Sequence, residues 1–293
     1  MLVESITQLK RRPEQAIIIN VGTKGVSTLA LLSALRYAAM PVLLIDCESD
    51  DGSFQHFIGL QSQLDFDLLA APLRRHSSAL DWIFNEIPSE KVLLIDSDIE
   101  ILNGEIFEFM RRFIDSDKVF GCGFIEGPNW MSGQQGFMRH GLFEERMWIP
   151  LTMLKVSMIR AALGKGESFA ERQVFNDFSP SPFISRVMGS IRYRIPALQS
   201  RQLRAFDAFK ESHHGLKPWL VWYDTGAQLY RHLKYIEGHQ FVGLPAELHD
   251  RYAIHFSGVT NNRLNPGRAL GAPIEETNAY VRARLRDEYR IDL

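Results

Sequence analysis

The segment from Val92 to Leu102, VLLIDSDIEIL, holds the side chains best placed to do chemistry. An apolar run delivers Asp96 and Asp98 to its carboxyl end. Residues i and i+2 share one side of an extended chain, so both carboxylates can aim at a single point. Two hard oxygen donors suit Mg²⁺ or Mn²⁺ holding a diphosphate. The same residues also suit a strand that ends in a polar turn, because Asp-Ser-Asp is common turn chemistry. His213 and His214 form a rival metal pair. Neighbours in an extended segment point to opposite faces, which favours a surface loop for them.

The elements that must position these groups are legible in the first half. Ala16 to Val21 is a short apolar run that ends in Gly22-Thr23-Lys24-Gly25. Ser27 to Met40 carries Leu29, Leu32 and Leu35 at helical spacing, and Pro41 to Ile45 is a second apolar run ending at Asp46. Strand, helix, strand makes a βαβ unit, hence parallel strands buried on both faces. Phe66 to Ala71 is a third short strand, Ser77 to Ile87 a helix and Lys91 to Ile95 a further strand. Ile106 to Ile114 reads as an amphipathic helix and Val119 to Phe124 as a strand. Ligands of open α/β sheets bind outside the carboxyl ends of the strands, where Asp96 and Asp98 lie.

After Glu126 the pattern changes. Gly127 to Gly141 is a glycine-rich loop, long enough to act as a lid. Trp148 to Leu163 is strand-like and then helical, Ser179 to Ile195 irregular, and Gln199 to Lys210 helical. Leu220 to Tyr223 leads into a helix from Thr225 to Tyr235, and Tyr252 to Phe256 is a last strand. Pro266 to Pro273 is coil, and Glu275 to Tyr289 is a charged amphipathic helix. With no repeat and no clear linker, the expectation is one domain over 1–293. Within it, 1–125 would bind the nucleotide, 126–265 the acceptor, and 266–293 would be a tail helix.

Composition narrows the class. The 293 residues carry 33 Lys and Arg against 35 Asp and Glu, a formal charge of -2, which argues against a dedicated nucleic-acid binder. An aromatic content of 11% argues against low-complexity disorder. Two cysteines, Cys47 and Cys122, make neither a disulfide framework nor a zinc site, and point to a reducing cytoplasm. No apolar run approaches the ~20 residues of a membrane span. Lys10, Arg11 and Arg12 interrupt any signal-peptide core.

A βαβ start, a second strand ending in acids and a later strand ending in Asp-x-Asp resemble, in that order, a nucleotide-sugar glycosyltransferase of the GT-A fold. The resemblance runs from Ala16 to Gly258. It implies a GT-A-like, mixed and mostly parallel sheet flanked by helices, with a Rossmann-like first half and an elaborated acceptor half. It implies that Asp96 and Asp98 hold the metal on the donor diphosphate, with Ser97 between them. In that fold a late histidine, just after a strand and before a glycine, often adds a ligand; Arg251 to Gly258, RYAIHFSG, fits with His255. A neutral imidazole is a good ligand for Mn²⁺. A lone histidine on a short apolar strand also suits a satisfied core position.

By position, the resemblance puts the base near Val21, Gly22 and Thr23, and base or ribose near Asp46. The glycines at 22 and 25 let backbone approach a ligand, as they would in a plain βα turn. GTKGVST is not a Walker loop, because it lacks the Gly-Lys-Ser/Thr ending. The stretch Cys47 to Ser53, CESDDGS, echoes the DDGS-type loop of many glycosyltransferases, and Asp50 and Asp51 also suit plain solvation. Arg75 and His76, leading to Asp81, resemble the segment that lines the nucleotide, where a cation balances phosphate charge. An exposed basic turn after Arg74, capped by Ser77 or Ser78, is the other reading.

In the second half, Trp130, Trp148, Trp219, Trp222 and Tyr223 can stack on sugar rings or serve as core. Asp224 precedes a helix, where inverting GT-A enzymes often place the general base; it equally suits an N-cap assisted by Gln228. Asn261, Asn262, Arg263 and Arg268 are placed to fold over a diphosphate. The helix from Glu275 to Tyr289 has a solvated charged face, open to a second subunit or an anionic membrane surface.

The expected activity is transfer of a sugar from a nucleotide-diphosphate donor, UDP-sugar by family frequency, to a hydroxyl of a sugar or glycan acceptor. Mn²⁺ or Mg²⁺ is the expected cofactor. Asp224 is the candidate base. One alternative is a haloacid-dehalogenase-type phosphatase, but Ile99 and Glu100 stand where that family continues DxDGT or DxDxT. The other is a sugar-nucleotide-binding protein without catalysis.

Overall fold

The computed structural model describes residues 1–130, 141–175, 220–244, 249–256, 259 and 274–292. Its first half alternates strand and helix: β1 (Leu2–Val3), β2 (Glu14–Asn20), α1 (Lys24–Tyr37), β3 (Val42–Cys47), α2 (Ser53–Leu60), β4 (Asp67–Ala71), α3 (His76–Glu86) and β5 (Lys91–Asp96). There follow β6 (Ile99–Ile101), α4 (Glu105–Ile114), β7 (Val119–Glu126), β8 (Asn129–Trp130), β9 (Gly141–Phe143), β10 (Arg146–Lys155), α5 (Val156–Gly164) and β11 (Arg172–Phe175). The later elements are β12 (Leu220–Tyr223), α6 (Ala227–Arg231), β13 (Gln240–Leu244), α7 (His249–Tyr252), β14 (Ala253–His255) and α8 (Ile274–Tyr289).

The central sheet has eight strands in the order β1-β4-β3-β2-β5-β10-β7-β13. Every pairing in it is parallel except the two made by β10, which runs against both β5 and β7. A smaller sheet joins β11, β12, β9 and β8, and among the described residues β14 pairs only with β6. The fold is thus a mixed, mostly parallel α/β sheet flanked by helices, as expected from the sequence.

Strands buried on both faces explain the continuous apolar runs. Ile18, Leu44, Leu93 and Ile95 face α1, α2 and α4, where Leu31, Phe57 and Phe107 are buried. Their neighbours Ile17, Leu43, Val92 and Leu94 face α3 and α5, against Leu80, Phe84 and Ile159.

Several elements differ from expectation. Tyr252 ends the short helix α7, so the last strand starts only at Ala253. The helix expected from Thr225 begins at Ala227, behind Gly226 in the left-handed region, and passes into a π-helical turn over His232–Ile236. Strand β13 was not predicted; it adds to the sheet edge beside β7. The tail helix α8 keeps its charged face exposed and buries Val281 and Leu285 on Val26, Leu29 and Leu32 of α1. The stretches 179–195, 199–210 and 266–273, His213, His214, Asn261, Asn262, Arg263 and Arg268 lie outside the described residues, as does 131–140 of the expected lid.

Candidate metal and donor site

Strand β5 reaches its carboxyl end at Asp96, paired in register with Ile19 of β2. The chain turns through Ser97 and Asp98 and at once forms β6, which β14 joins with His255 opposite Ile99. The Phe256 N–H donates to the Asp98 carbonyl at 2.8 Å, and the Leu102 N–H to the Tyr252 carbonyl at 2.8 Å, closing both ends of this pair. The result brings one ligand atom each from Asp96, Asp98 and His255 within 4.8 Å of one another. His255 Nε2 lies 3.4 Å from Asp98 Oδ1, with the side chains 23% and 9% exposed.

The electrostatics fit a cation. Burial, reinforced by the neighbouring Asp98, pushes the Asp96 carboxyl above its ordinary range, against the pull of His76 and His255. Burial alone would depress the His255 imidazole, yet its hydrogen bond to Asp98 and the charges of Asp98, Asp96 and Glu126 hold it above its usual value. Two carboxylates crowding one imidazole form an oxygen-rich set with a single nitrogen, the donor chemistry of Mn²⁺ and also compatible with Mg²⁺.

Asp96 also opens onto a cleft of about 190 Å³, lined on its other walls by His76, Glu126, Arg146, Trp148 and Asp224. His76 Nε2 stands 3.8 Å from Asp96 Oδ1. Arg146 reaches Asp224 Oδ2 at 3.3 Å and also pairs with Glu126. Glu126 and Arg146 were not singled out from sequence. Facing each other across the β7–β10 ladder, they follow from a pairing that no local motif announces. Trp148 meets His255 edge to face, with centroids 5.4 Å apart.

Asp224 is not the expected N-cap. Its carboxylate accepts from the Thr225 N–H at 2.8 Å, while Gly226 holds the cap position. Gln228 instead donates to the Ala170 carbonyl and accepts from Arg172. Of the aromatic residues, Trp148 lines the cleft, Tyr223 is buried, and Trp222 packs against Phe143. Trp219 and the Trp130 side chain are outside the described residues.

Strand β2 ends in a buried polar network centred on Asn20, a residue no local motif marks. Its amide donates to Asp46 Oδ1 at 2.6 Å and Ser49 Oγ at 3.0 Å. Its carbonyl accepts from the Thr23 N–H and hydroxyl and from Ser27 Oγ. Ser49 Oγ also accepts from the Gly22 N–H at 2.7 Å, and Thr23 Oγ1 lies 3.5 Å from Ser97 Oγ. Asp46 and Thr23 are therefore held inside the protein, beside the Asp96–Asp98 turn. Val21 is half-buried and packs with the α3-side core.

Asp51 is not simply solvated. It accepts from the Lys24 and Ser53 N–H groups, tying down the starts of α1 and α2. Those bonds hold its carboxyl below the ordinary range although burial opposes them. Arg75, not Ser77 or Ser78, occupies the N-cap of α3, and no side-chain cap bond forms there. Arg74 lies over the Trp82 ring at 4.5 Å. Asp81 accepts from the Phe169 N–H at 2.8 Å, and burial raises its carboxyl.

No protein-family model matches the chain, and neither does any curated protein. Among solved structures, it is similar to residues 1–349 of TarS from S. aureus, at 15% identity and a TM-score of 0.38 over 54% of this chain and 50% of that one. It is similar to the mannosyltransferase PcManGT from Pyrobaculum calidifontis, in complex with GDP-Man and Mn²⁺, at 13% identity and a TM-score of 0.40 over 58% and 50%. It is also similar to 4-diphosphocytidyl-2C-methyl-D-erythritol synthase from Anaerococcus prevotii, at 12% identity and a TM-score of 0.38 over 52% and 74%. The chain spans about half the length of the first two.

Proposed function

We propose that this chain is a metal-dependent glycosyltransferase that moves a sugar from a nucleotide-diphosphate donor, by default a UDP-sugar, to a hydroxyl of a sugar or glycan. The observation that carries the reading is the convergence of Asp96, Asp98 and His255 beside a cleft that also receives Asp224. Asp96, Asp98 and His255 would hold Mn²⁺ or Mg²⁺. Such a cation, when bound, offsets the charge that builds on the departing nucleotide diphosphate.

The chain's own groups do the rest. Val21, Gly22, Thr23, Asp46, Asp81 and Ser97 would contact the nucleotide, with Thr23, Asp46 and Ser97 buried near the carboxyl ends of β2, β3 and β5. His76 lines the cleft and Arg75 precedes it at the start of α3, where cationic groups would meet phosphate. Asp224 takes the proton of the acceptor hydroxyl, and Arg146 fixes its orientation. Trp148 offers an aromatic face edge to the cleft. Among the described residues no helix is long and apolar enough to cross a membrane.

Thermal unfolding with nucleoside diphosphates, with and without Mn²⁺, tests this. UDP should stabilise the protein by about 2.7 kcal/mol at a hundredfold excess over its Kd, in the presence of Mn²⁺ and not in Asp98→Ala. Equal shifts with and without metal would overturn it. Cleavage of p-nitrophenyl phosphate would favour the phosphatase alternative, and nucleotide binding without donor turnover the binding-only one.

A further inference from the structure

The pair that presents His255 to Asp98 is short. β6 and β14 contribute three residues each and pair with no other strand among the described residues. An isolated two-stranded pair is marginal on its own, so something else must hold it. One support is α1, whose Ser33 Oγ accepts from the Ile101 N–H at 3.1 Å.

The other comes from α8. Glu100 sits in the middle of β6, opposite Ile254, between the neighbours of Asp98 and His255. Its side chain is 0% exposed. One carboxylate oxygen accepts from Arg284 Nε at 2.8 Å and Nη2 at 2.6 Å, and the other accepts from the Tyr280 hydroxyl at 2.9 Å. Tyr280 also packs on Phe256, the residue after His255, with ring centroids 5.5 Å apart. A buried carboxylate with a forked guanidinium on one oxygen and a phenol on the other has one orientation available. The backbone that carries it inherits that restraint.

We propose that α8 is a positioning element of the metal site, with Arg284 and Tyr280 acting through Glu100 to hold the Asp98–His255 pair in ligating geometry. The proposal rests on the metal-binding reading above. Neither Arg284 nor Tyr280 is among the three proposed ligands. Their effect is on how often those ligands are correctly placed, as for the outer contacts of metal sites generally.

Mn²⁺ affinity of the full chain, measured by electron paramagnetic resonance of the free ion, tests it without any turnover. Arg284→Ala should weaken Mn²⁺ binding ten- to a hundredfold, the range typical of outer contacts. Arg284→Lys should restore part of the loss. Tyr280→Phe, which removes one hydroxyl and leaves the helix packed, should weaken binding a few-fold and decides the matter should Arg284→Ala fail to fold. Arg12→Ala breaks a comparably buried ion pair to Asp67, at 2.9 Å and away from the site, and should leave Mn²⁺ affinity unchanged. Wild-type affinity in folded Arg284→Ala or in Tyr280→Phe, or an equal loss in Arg12→Ala, would overturn the proposal. Absence of Mn²⁺ binding by the wild-type chain would overturn the metal reading itself.

Discussion

If Asp96, Asp98 and His255 hold a cation as proposed, protons compete for the same three groups and cation affinity must depend on pH. His255 is held above its ordinary 6.5 and Asp96 above its ordinary 3.8 in the metal-free protein. Each proton that must leave for binding changes the affinity tenfold per pH unit, about 1.4 kcal/mol. Below the raised His255 value, the Mn²⁺ association constant should therefore climb about tenfold per unit as pH rises, and flatten above it. The metal-free protein responds with the opposite sign. A histidine whose folded value exceeds its unfolded one contributes stability that is complete below about 6.5 and is lost as pH rises through the raised value. In Asp98→Asn, burial remains while the strongest raising partner is gone, so the imidazole falls and the climb moves to lower pH. Titration calorimetry in buffers of different ionisation heat counts the released protons directly, and the His255 ring proton in an NMR titration locates the value. A Kd independent of pH between 6 and 8 with no proton release at pH 6 would refute the three-ligand site.

Asp224→Asn should reduce turnover about 10²- to 10⁴-fold, the usual worth of a general base, with Mn²⁺ affinity unchanged, as initial rates and metal titration would show. Gly226 adopts φ +80°, and an added Cβ would lie 3.0 Å from both Ile149 Cδ1 and Met147 Cε. Gly226→Ala should thus cost about 1–3 kcal/mol in denaturant unfolding and disturb Asp224 two residues away. Burial pushes the Glu144 carboxyl up from 4.5 to about 7. Its folded value exceeds its unfolded one, so the wild type should lose about 3 kcal/mol relative to Glu144→Gln as pH rises from about 4.5 to about 7, measured by urea unfolding at each pH.

What the sequence discloses, and what it hides, follows from the range of the forces involved. Strands β2, β3 and β5 are announced by runs such as AIII and VLLI, because a strand buried on both faces leaves no room for polar residues. The Asp96–Asp98 turn is visible for the same reason, as two charges at the end of such a run. Asn20 is hidden because an amide at a strand end looks like any turn residue until Asp46 and Ser49, brought by the next βα unit, surround it. Glu126 and Arg146 are hidden because only the β7–β10 register makes them neighbours. Glu100 is harder still. Nothing in the run after Asp98 marks Glu100 as buried, and only α8, far along the chain, supplies the guanidinium and phenol that let it be so. Asp51 shows the converse: its local DDG context suggests solvation, whereas two helix starts claim its oxygens.

The reversal of β10 is what makes one site out of two halves. In a fully parallel sheet the strand beside β5 would bring its carboxyl end to the Asp96 edge. Because β10 runs antiparallel, with Leu151 opposite Ile95, its first residues project past the end of β5. Arg146 and Trp148 thereby enter the cleft at the level of Asp96. The register against β7 shifts between Met147 and Thr152, around Pro150, which has no N–H to give a ladder. Irregularities of this kind bend a strand and re-aim its side chains, and they gather next to active sites. Here the shift falls between the regular part of β10, which closes the core, and the part that carries Arg146 to Asp224 and Glu126. A substrate spanning the cleft would meet the first half of the chain at Asp96 and the second half at Arg146 and Asp224. The one antiparallel strand of the central sheet thus gives a physical reason for Asp96 and the Arg146–Asp224 pair to share one opening.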